Sequence, residues 1–573
     1  MELTGAQMIL ESLAREGVTD VFGLPGGATL PLYDALPEYY PRIRHYLVKH
    51  EQAAAHAADA YARVTNGPGV CFATSGPGAT NLVTGIANAW MDSVPLVCIT
   101  GAVITGLLGR DGFQEADITG ITIPITKHNA LVLDVREIPR VIREAFYIAR
   151  SGRPGPVLVD IPRDVQQQRA EFVWPDRIAL RGYRPQISPD PEEVAKAADL
   201  INSAERPLIL AGHGVIISGA YEELQGLAEK TNIPVITTLL GISGFPASHP
   251  LYLGMPGMHG MYWNNIAISE SDLLIGVGMR FDDRVTGRLK DFAPDAKIVH
   301  LEVDPAEVGK NVRPAATLQG DARVCLQELN QLVESRDRRA WFEHIESIKR
   351  EHPSVVFPES EAILPQYAIK KIYELSGSDY YVVTGVGQHQ MWAAQYFRSD
   401  KPNSWVTSGG LGTMGFEVPA AMGVQAAKPA ELVWSICGDG GFQMTLQELA
   451  TIAEYGWPIK FAIINNGHHG MVRQWQHLFY KNNLVASPLR NPDFVKLAEA
   501  FGILGLQATQ QQEVEPVIQR ALEHDGPVVI DFRVKDDEDC YPMVPPGASL
   551  QETVDLPPEY NALAERAERV KAK

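Results

Sequence analysis

"CGDGGFQMTLQELATIAEYGWPIKFAIINNGHHG", Cys437–Gly470, places one aspartate in a glycine turn and, one apolar run later, a pair of asparagines. Two apolar runs, "LVWSIC" and "IKFAIINN", flank a helix-like segment, "TLQELATIAEYG". That alternation reads as strand, crossover helix, strand of a parallel sheet. In such sheets ligands bind beyond the carboxyl ends of the strands. Asp439 and Asn466 each follow a strand end, so residues 27 positions apart in sequence become neighbours in space. One carboxylate and one amide oxygen suit neither zinc nor copper. They suit a hard cation such as Mg²⁺, which takes phosphate oxygens as further ligands, and the backbone carbonyl of His468 can add another. Gly438, Gly440 and Gly441 let a diphosphate approach the main chain. Alone, GDG reads as a turn and NN as a capped loop; the full arrangement is the specific signal.

The same alternation runs along the whole chain. Its 573 residues suggest about three α/β domains. The first, 1–165, contains "VTDVFGLPGG", "GVCFATSGPGATN", "VPLVCITGA" and "GPVLVDIPRD"; a polar, proline-bearing linker follows near 165–190. The second, 190–332, contains "RPLILAGHG", "IPVITTLL", "SDLLIGVGMRFDDR" and "AKIVHLEVD", and a charged helical linker follows over 333–365. The third, 366–540, contains "DYYVVTGVG", "ELVWSICGDGG", "IKFAIINN" and "GPVVIDFRV". The tail, 541–573, begins rich in Pro and Gly and ends in a charged helical pattern, as an active-site flap could. The first and third domains share a plan.

A net charge of -19, from 69 acidic and 50 basic residues, argues against nucleic acid as the main partner. The 5 cysteines are scattered without a CxxC pair, which fits a reducing compartment and gives neither a disulfide framework nor a zinc site. The acidic start "MELTGAQMILESLAREGV" is not a signal peptide, and no run approaches the ~18 apolar residues of a membrane span. The expected location is cytoplasmic.

"LVKHEQAAAHAADAYAR" offers Glu51 at a strand-to-helix junction. By itself it reads as an acid complementing a helix dipole. "GLPGG" and "TSGPGATN" are strand-to-helix glycine turns, and the second lacks the third glycine of a dinucleotide loop.

The GDG–helix–strand–NN arrangement resembles the cofactor signature of thiamine-diphosphate enzymes. The resemblance covers nearly the whole chain and narrows to the acetohydroxyacid (acetolactate) synthase catalytic subunits, carried by "FGLPGGATLPLYDAL", "KHEQAA", "TSGPGATN", "GFQEADITGIT", "SGRPGPVLVDIPRDV", "GMPGMHG", "RFDDRVTG" and "NNGHHGMVRQWQ". It implies three doubly wound parallel-sheet domains: pyrimidine-binding, central flavin-binding and diphosphate-binding. It also implies Mg²⁺ held by Asp439, Asn466 and His468, and Pro77, Asn81, Gly387, Gln388, His389, Met414, Gly438, Gly440 and Gly441 against thiamine diphosphate. Glu51 becomes the acid that protonates the aminopyrimidine, whose amino group then deprotonates the thiazolium.

The implied reaction decarboxylates pyruvate and joins the two-carbon unit to a second 2-oxo acid, pyruvate or 2-oxobutanoate, for branched-chain amino acid synthesis. Arg284 would take the acceptor carboxylate, although an Arg in "RFDDR" also reads as a surface ion pair. Trp475, otherwise a core residue, and Met258 would contact the acceptor side chain. Phe113 and Gln114 would lie over the reacting carbons, and Gly27 would offer a backbone donor. FAD, without a net redox role, would meet Arg153, Gly212, Gly214, Gly278, Arg280, Glu302, Asp304 and Asp321. Without the resemblance these loops are generic strand ends, and a cofactor-free structural domain reads them as well. The family also implies a homodimer or tetramer, because each site takes groups from two chains, and a separate small regulatory subunit.

Arg163, Leu24 and His468-His469 depart from the family pattern. None of them replaces Glu51, Asp439 or Asn466. A pyruvate oxidase, a 2-oxo-acid decarboxylase, or an inactive binding relative are the competing readings.

Overall fold

A computed structural model describes residues 1–185 and 187–556. Three six-stranded sheets, each parallel throughout, form its frame. Numbered along the chain within each sheet, the strands of the first stand in the order 2-1-3-4-6-5, and those of the third repeat it. The middle sheet has the order 3-2-1-4-5-6, that of a dinucleotide-binding fold, with its switch point between strands Pro207–Ala211 and Leu273–Val277. Central strands such as Leu96–Ala102 and Lys460–Asn465 are buried at every position, because helices cover both faces.

The shared plan of the first and third sheets has a physical seam. Helices Glu51–Thr65 and Glu417–Ala427 follow the matching second strands and pack on one another. Ala53, Ala54, Ala57 and Ala58 are fully buried, and a Cβ on Gly423 would stand 1.9 Å from the Ala57 carbonyl oxygen. Only glycine permits that approach. Burial pushes the Glu417 carboxyl up to about 7.

Both expected linkers carry structure. Arg169–Glu171 pairs antiparallel with Glu2–Thr4, so the 165–190 stretch clasps the first unit. Helix Arg339–Glu351 lays Trp341, Ile345 and Ile348 into a core of the middle unit, so apolar packing there extends past 332. Residues 541–556 of the tail do likewise: Val544, Ala548 and Leu550 join that core, and Asn265 Nδ2 donates to Thr553 Oγ1 at 3.0 Å. The charged helix expected at the end of the tail lies outside the described residues. All five cysteines are free and buried, and Cys71 and Cys98 face each other across paired strands with their Sγ atoms 3.4 Å apart. Among the described residues, no helix is long and apolar enough to cross a membrane.

Candidate active site

Asp439 opens helix Asp439–Thr445 directly after strand Leu432–Gly438, and Asn466 follows the neighbouring strand Lys460–Asn465. Asp439 is 2% exposed. Its carboxylate accepts from Gly467 N at 2.9 Å, from Asn491 Nδ2 at 2.6 Å and from Gly440 N at 3.1 Å. Burial raises its pKa, and no basic side chain stands among the groups that lower it. It is a buried carboxylate without a counter-charge, and a cation would supply one. Asn466 Oδ1 accepts from His468 N at 3.1 Å, while its Nδ2 donates to Gln388 Oε1 at 3.2 Å. Among the described residues, no cluster of three or more His, Cys, Asp or Glu side chains could hold a metal by itself. This donor set therefore suits a hard cation completed by phosphate oxygens.

A small cavity of about 50 Å³ is lined by Gly387, Gln388, His389, Met414, Gly438, Asp439, Gly440, Gly441, Asn466 and His468. Every residue expected of the third domain's cofactor site meets there. It shares Val386, Gly387, Met471 and Val472 with a larger cavity of about 880 Å³. In that one, Met258, Arg284 and Trp475 line the wall together. Trp475 is half-buried on helix Gly470–Phe479, so it belongs to a cavity wall rather than a core. Arg284 Nη1 lies 3.3 Å from Met258 Sδ. Its nearest carboxylate is Asp283 at 3.9 Å, and that side chain is 80% exposed. A solvated pair at that distance contributes little, so the guanidinium stays available to a ligand.

The large cavity reaches the switch point of the middle sheet. Arg153, Gly214, Gly278, Arg280, Glu302 and Asp321 line it. Gly212 does not: a Cβ there would stand 2.4 Å from the Gly278 carbonyl oxygen, so this glycine lets two strand-end loops pack together. Asp304 instead accepts from Arg153 Nη1 at 3.0 Å, and burial pushes the Glu302 carboxyl up to about 7.

The first sheet carries a separate cluster. Glu51 begins its helix, is 7% exposed, and accepts from Asn81 Nδ2 at 2.9 Å. Gly78 leaves room for that carboxyl, since a Cβ there would stand 3.1 Å from Glu51 Oε1. Pro77 and Asn81 bound the helical turn after Gly76. Gly27 faces open space. Phe113 is 89% exposed, and Gln114 adopts φ 60° against the backbone of Gly76. None of these residues lines either cavity of the same chain. The expected site is thus split into two halves within one chain. Asn491, which also donates to Asn465 Oδ1 at 2.9 Å, is a further member that the motifs did not reveal.

Three family models match in order: the N-terminal TPP binding domain of thiamine pyrophosphate enzymes over residues 3–121, their central domain over 194–329, and their C-terminal TPP binding domain over 385–532. The chain belongs to the thiamine pyrophosphate enzymes. It is 52% identical over 564 residues to an acetolactate synthase of Mycobacterium bovis, covering 96% of this chain and 91% of that one. It is 50% identical over 581 residues to an acetolactate synthase large subunit of Corynebacterium glutamicum, covering 99% and 93%. With that of Parasynechococcus marenigrum it shares 48% over 566 residues, covering 97% and 91%. Within the family its place is among the acetolactate synthases.

Proposed function

We propose that this chain condenses two 2-oxo acids as an acetolactate synthase, with thiamine diphosphate as cofactor. Pyruvate loses carbon dioxide, and its remaining two carbons join a second pyruvate or 2-oxobutanoate. The products are 2-acetolactate or 2-aceto-2-hydroxybutanoate. The observation that carries the reading is the convergence of Met258, Arg284 and Trp475 on a cavity that shares wall residues with the Asp439–Asn466 pocket. When bound, thiamine diphosphate supplies a nucleophilic carbon and an electron sink for decarboxylation. Asp439, Asn466 and the His468 carbonyl would hold Mg²⁺ against its diphosphate. Arg284 binds the acceptor carboxylate through its two-pronged head, and Trp475 and Met258 shape the space for the acceptor's side chain. Glu51, Gly27, Phe113 and Gln114 reach the chemistry from a second copy of the chain, which closes the site and excludes water. FAD is proposed for the rest of the large cavity; the sheet order 3-2-1-4-5-6 and the Arg153 side chain at the switch point support it.

Product analysis from pyruvate with thiamine diphosphate and Mg²⁺, with FAD supplied or omitted and no electron acceptor, tests the reading. Acetolactate is expected; acetate, acetyl phosphate or free acetaldehyde as the main product overturns it. The proposed partner is a separate small regulatory subunit, supported by the words "large subunit" in the relatives' names. Native co-purification that yields this chain alone, with full activity insensitive to end product, removes that partner.

Acceptor choice is the second point. Pyruvate and 2-oxobutanoate differ by one methylene, which an apolar contact discriminates by only ~10–200-fold. Trp475→Leu removes part of that contact and leaves Arg284 and the cofactor loops in place. Acetolactate formation from pyruvate alone should persist, while much of the preference for 2-oxobutanoate is lost. Competition between both acceptors, read beside a thermal melt, checks this. An unchanged product ratio in a folded variant removes Trp475 from specificity.

A further inference from the structure

Asp92 ends helix Val83–Asp92 of the first unit and is 1% exposed. Its carboxylate does not face the first unit's own cluster. Oδ1 accepts from Gly410 N at 2.6 Å and Oδ2 from Gly409 N at 3.1 Å, both in the loop that follows strand Trp405–Thr407 of the third unit. Oδ2 also accepts from Arg63 Nη2 at 2.8 Å. The same guanidinium donates to Asp59 Oδ1 at 2.6 Å and to the Thr407 carbonyl at 3.0 Å. The main-chain carbonyl of Asp92 meets His213 Nδ1 of the middle unit at 2.8 Å. One residue therefore touches all three units: its side chain reaches the third and its backbone the second.

The loop it holds is part of the site. Gly409, Gly410, Leu411 and Gly412 line the large cavity, and Met414, two residues on, lines the small one. Two adjacent glycines have little conformational preference of their own. Their position has to be imposed from outside, and a buried carboxylate accepting two consecutive N–H groups does that with charge-assisted bonds.

We propose that Asp92 is a positioning residue that fixes the Ser408–Met414 loop as the wall of the cofactor and substrate cavity. The inference rests on the reading of that cavity as the thiamine diphosphate and 2-oxo-acid site. Asp92 itself borders the large cavity, but both of its carboxylate oxygens bond the loop backbone and Arg63, so it acts through the loop. Arg63 balances its charge, and without that partner the buried carboxylates of Asp59 and Asp92, both of the first unit, would repel each other.

The test is Asp92→Asn in the full chain, which keeps the shape but offers one acceptor oxygen where the loop uses two. Thiamine diphosphate is titrated with Mg²⁺ present, and hydrogen–deuterium exchange is followed by peptide. The dissociation constant should rise at least about tenfold, the usual scale for losing a hydrogen bond to a charged group. At saturating cofactor, kcat should stay within about threefold of the parent, because the bound transition-state contacts are intact. Exchange should quicken in peptides spanning 408–416 and not in the three sheets. If Asp92→Asn does not accumulate, Arg63→Lys takes its place: it keeps the cation, breaks the fork between Asp59 and Asp92, and must give the same local signature. Cofactor affinity equal to the parent's overturns the proposal. So does exchange that quickens throughout the chain together with a lowered melting temperature, since Asp92 would then serve stability alone. A parent chain that binds no thiamine diphosphate overturns the function reading itself, a result the same titration reports before any variant is compared.

Discussion

Asp439→Ala should abolish pyruvate turnover at thiamine diphosphate and Mg²⁺ concentrations that saturate the parent. Among the described residues, Asp439 is the one carboxylate lining the Asp439–Asn466 cavity, and no basic side chain stands among the groups that lower its pKa. Removing it would leave the proposed Mg²⁺ with neutral protein oxygens only, so the cation would no longer tie the diphosphate firmly to the strand ends. It also strips an acceptor from Gly467 N and Asn491 Nδ2, each of which keeps a bond to Asn465 Oδ1, so the packing around the strand ends loosens as well. That second effect is structural and must be separated from the first. Asp439→Asn separates them: the amide keeps the volume and one acceptor but not the charge. Both variants should lose cofactor affinity, whereas only Asp439→Ala should melt markedly earlier in the absence of cofactor. Calorimetric titration giving parental affinity in a folded Asp439→Ala chain contradicts the metal reading.

That pair was legible in sequence because it lies at the ends of central strands. Runs such as "LVWSIC" and "IKFAIINN" are buried on both faces and read as unbroken apolar stretches. The edge strands left no comparable trace. His128–Leu131 is exposed at both ends, Leu504–Ala508 mixes buried and exposed positions, and Tyr252–Gly254 and Trp405–Thr407 are three residues each. Periodicity cannot mark a segment that short or that evenly solvated. The clasp by Arg169–Glu171 was hidden for another reason: a polar strand paired far along the chain looks like linker from inside its own window. Within the site, motif spacing pointed to Asp439 and Asn466 because each begins or follows an element in the same chain segment as its glycines, whereas Glu51 took its expected role from the family resemblance alone. Asn491 and Asp92 were not legible. Each works through a partner more than 50 residues away, Asp439 for the one and Gly410 for the other, and neither sits in a pattern of its own. The order 2-1-3-4-6-5, found twice, gives the shared plan of the outer units its physical content.

Glu51→Gln should bind thiamine diphosphate yet turn over pyruvate ~10²–10⁴-fold more slowly, the usual size of a proton-transfer contribution. The carboxyl is buried at the start of its helix, and the side chain seen bonding it is Asn81. Gln keeps the volume that Gly78 accommodates and still offers an oxygen to Asn81, so folding should be unaffected. What it loses is an exchangeable proton held at one atom. A normal rate in this variant removes Glu51 from the chemistry. The same variant also decides how the site is assembled. Glu51 lines neither cavity of its own chain, so the proposed site pairs it with Asp439 of a second copy. Chains carrying Glu51→Gln and chains carrying Asp439→Ala should each be nearly inactive alone. Mixed and allowed to exchange, they form hybrid dimers in which one site holds both lesions and the other holds neither. Activity should then return to about a quarter of the parent's, since about half of the dimers are hybrid and each has one intact site of two. If Glu51 and Asp439 served one site within a single chain, every site in the mixture would carry a lesion, and mixing would restore nothing.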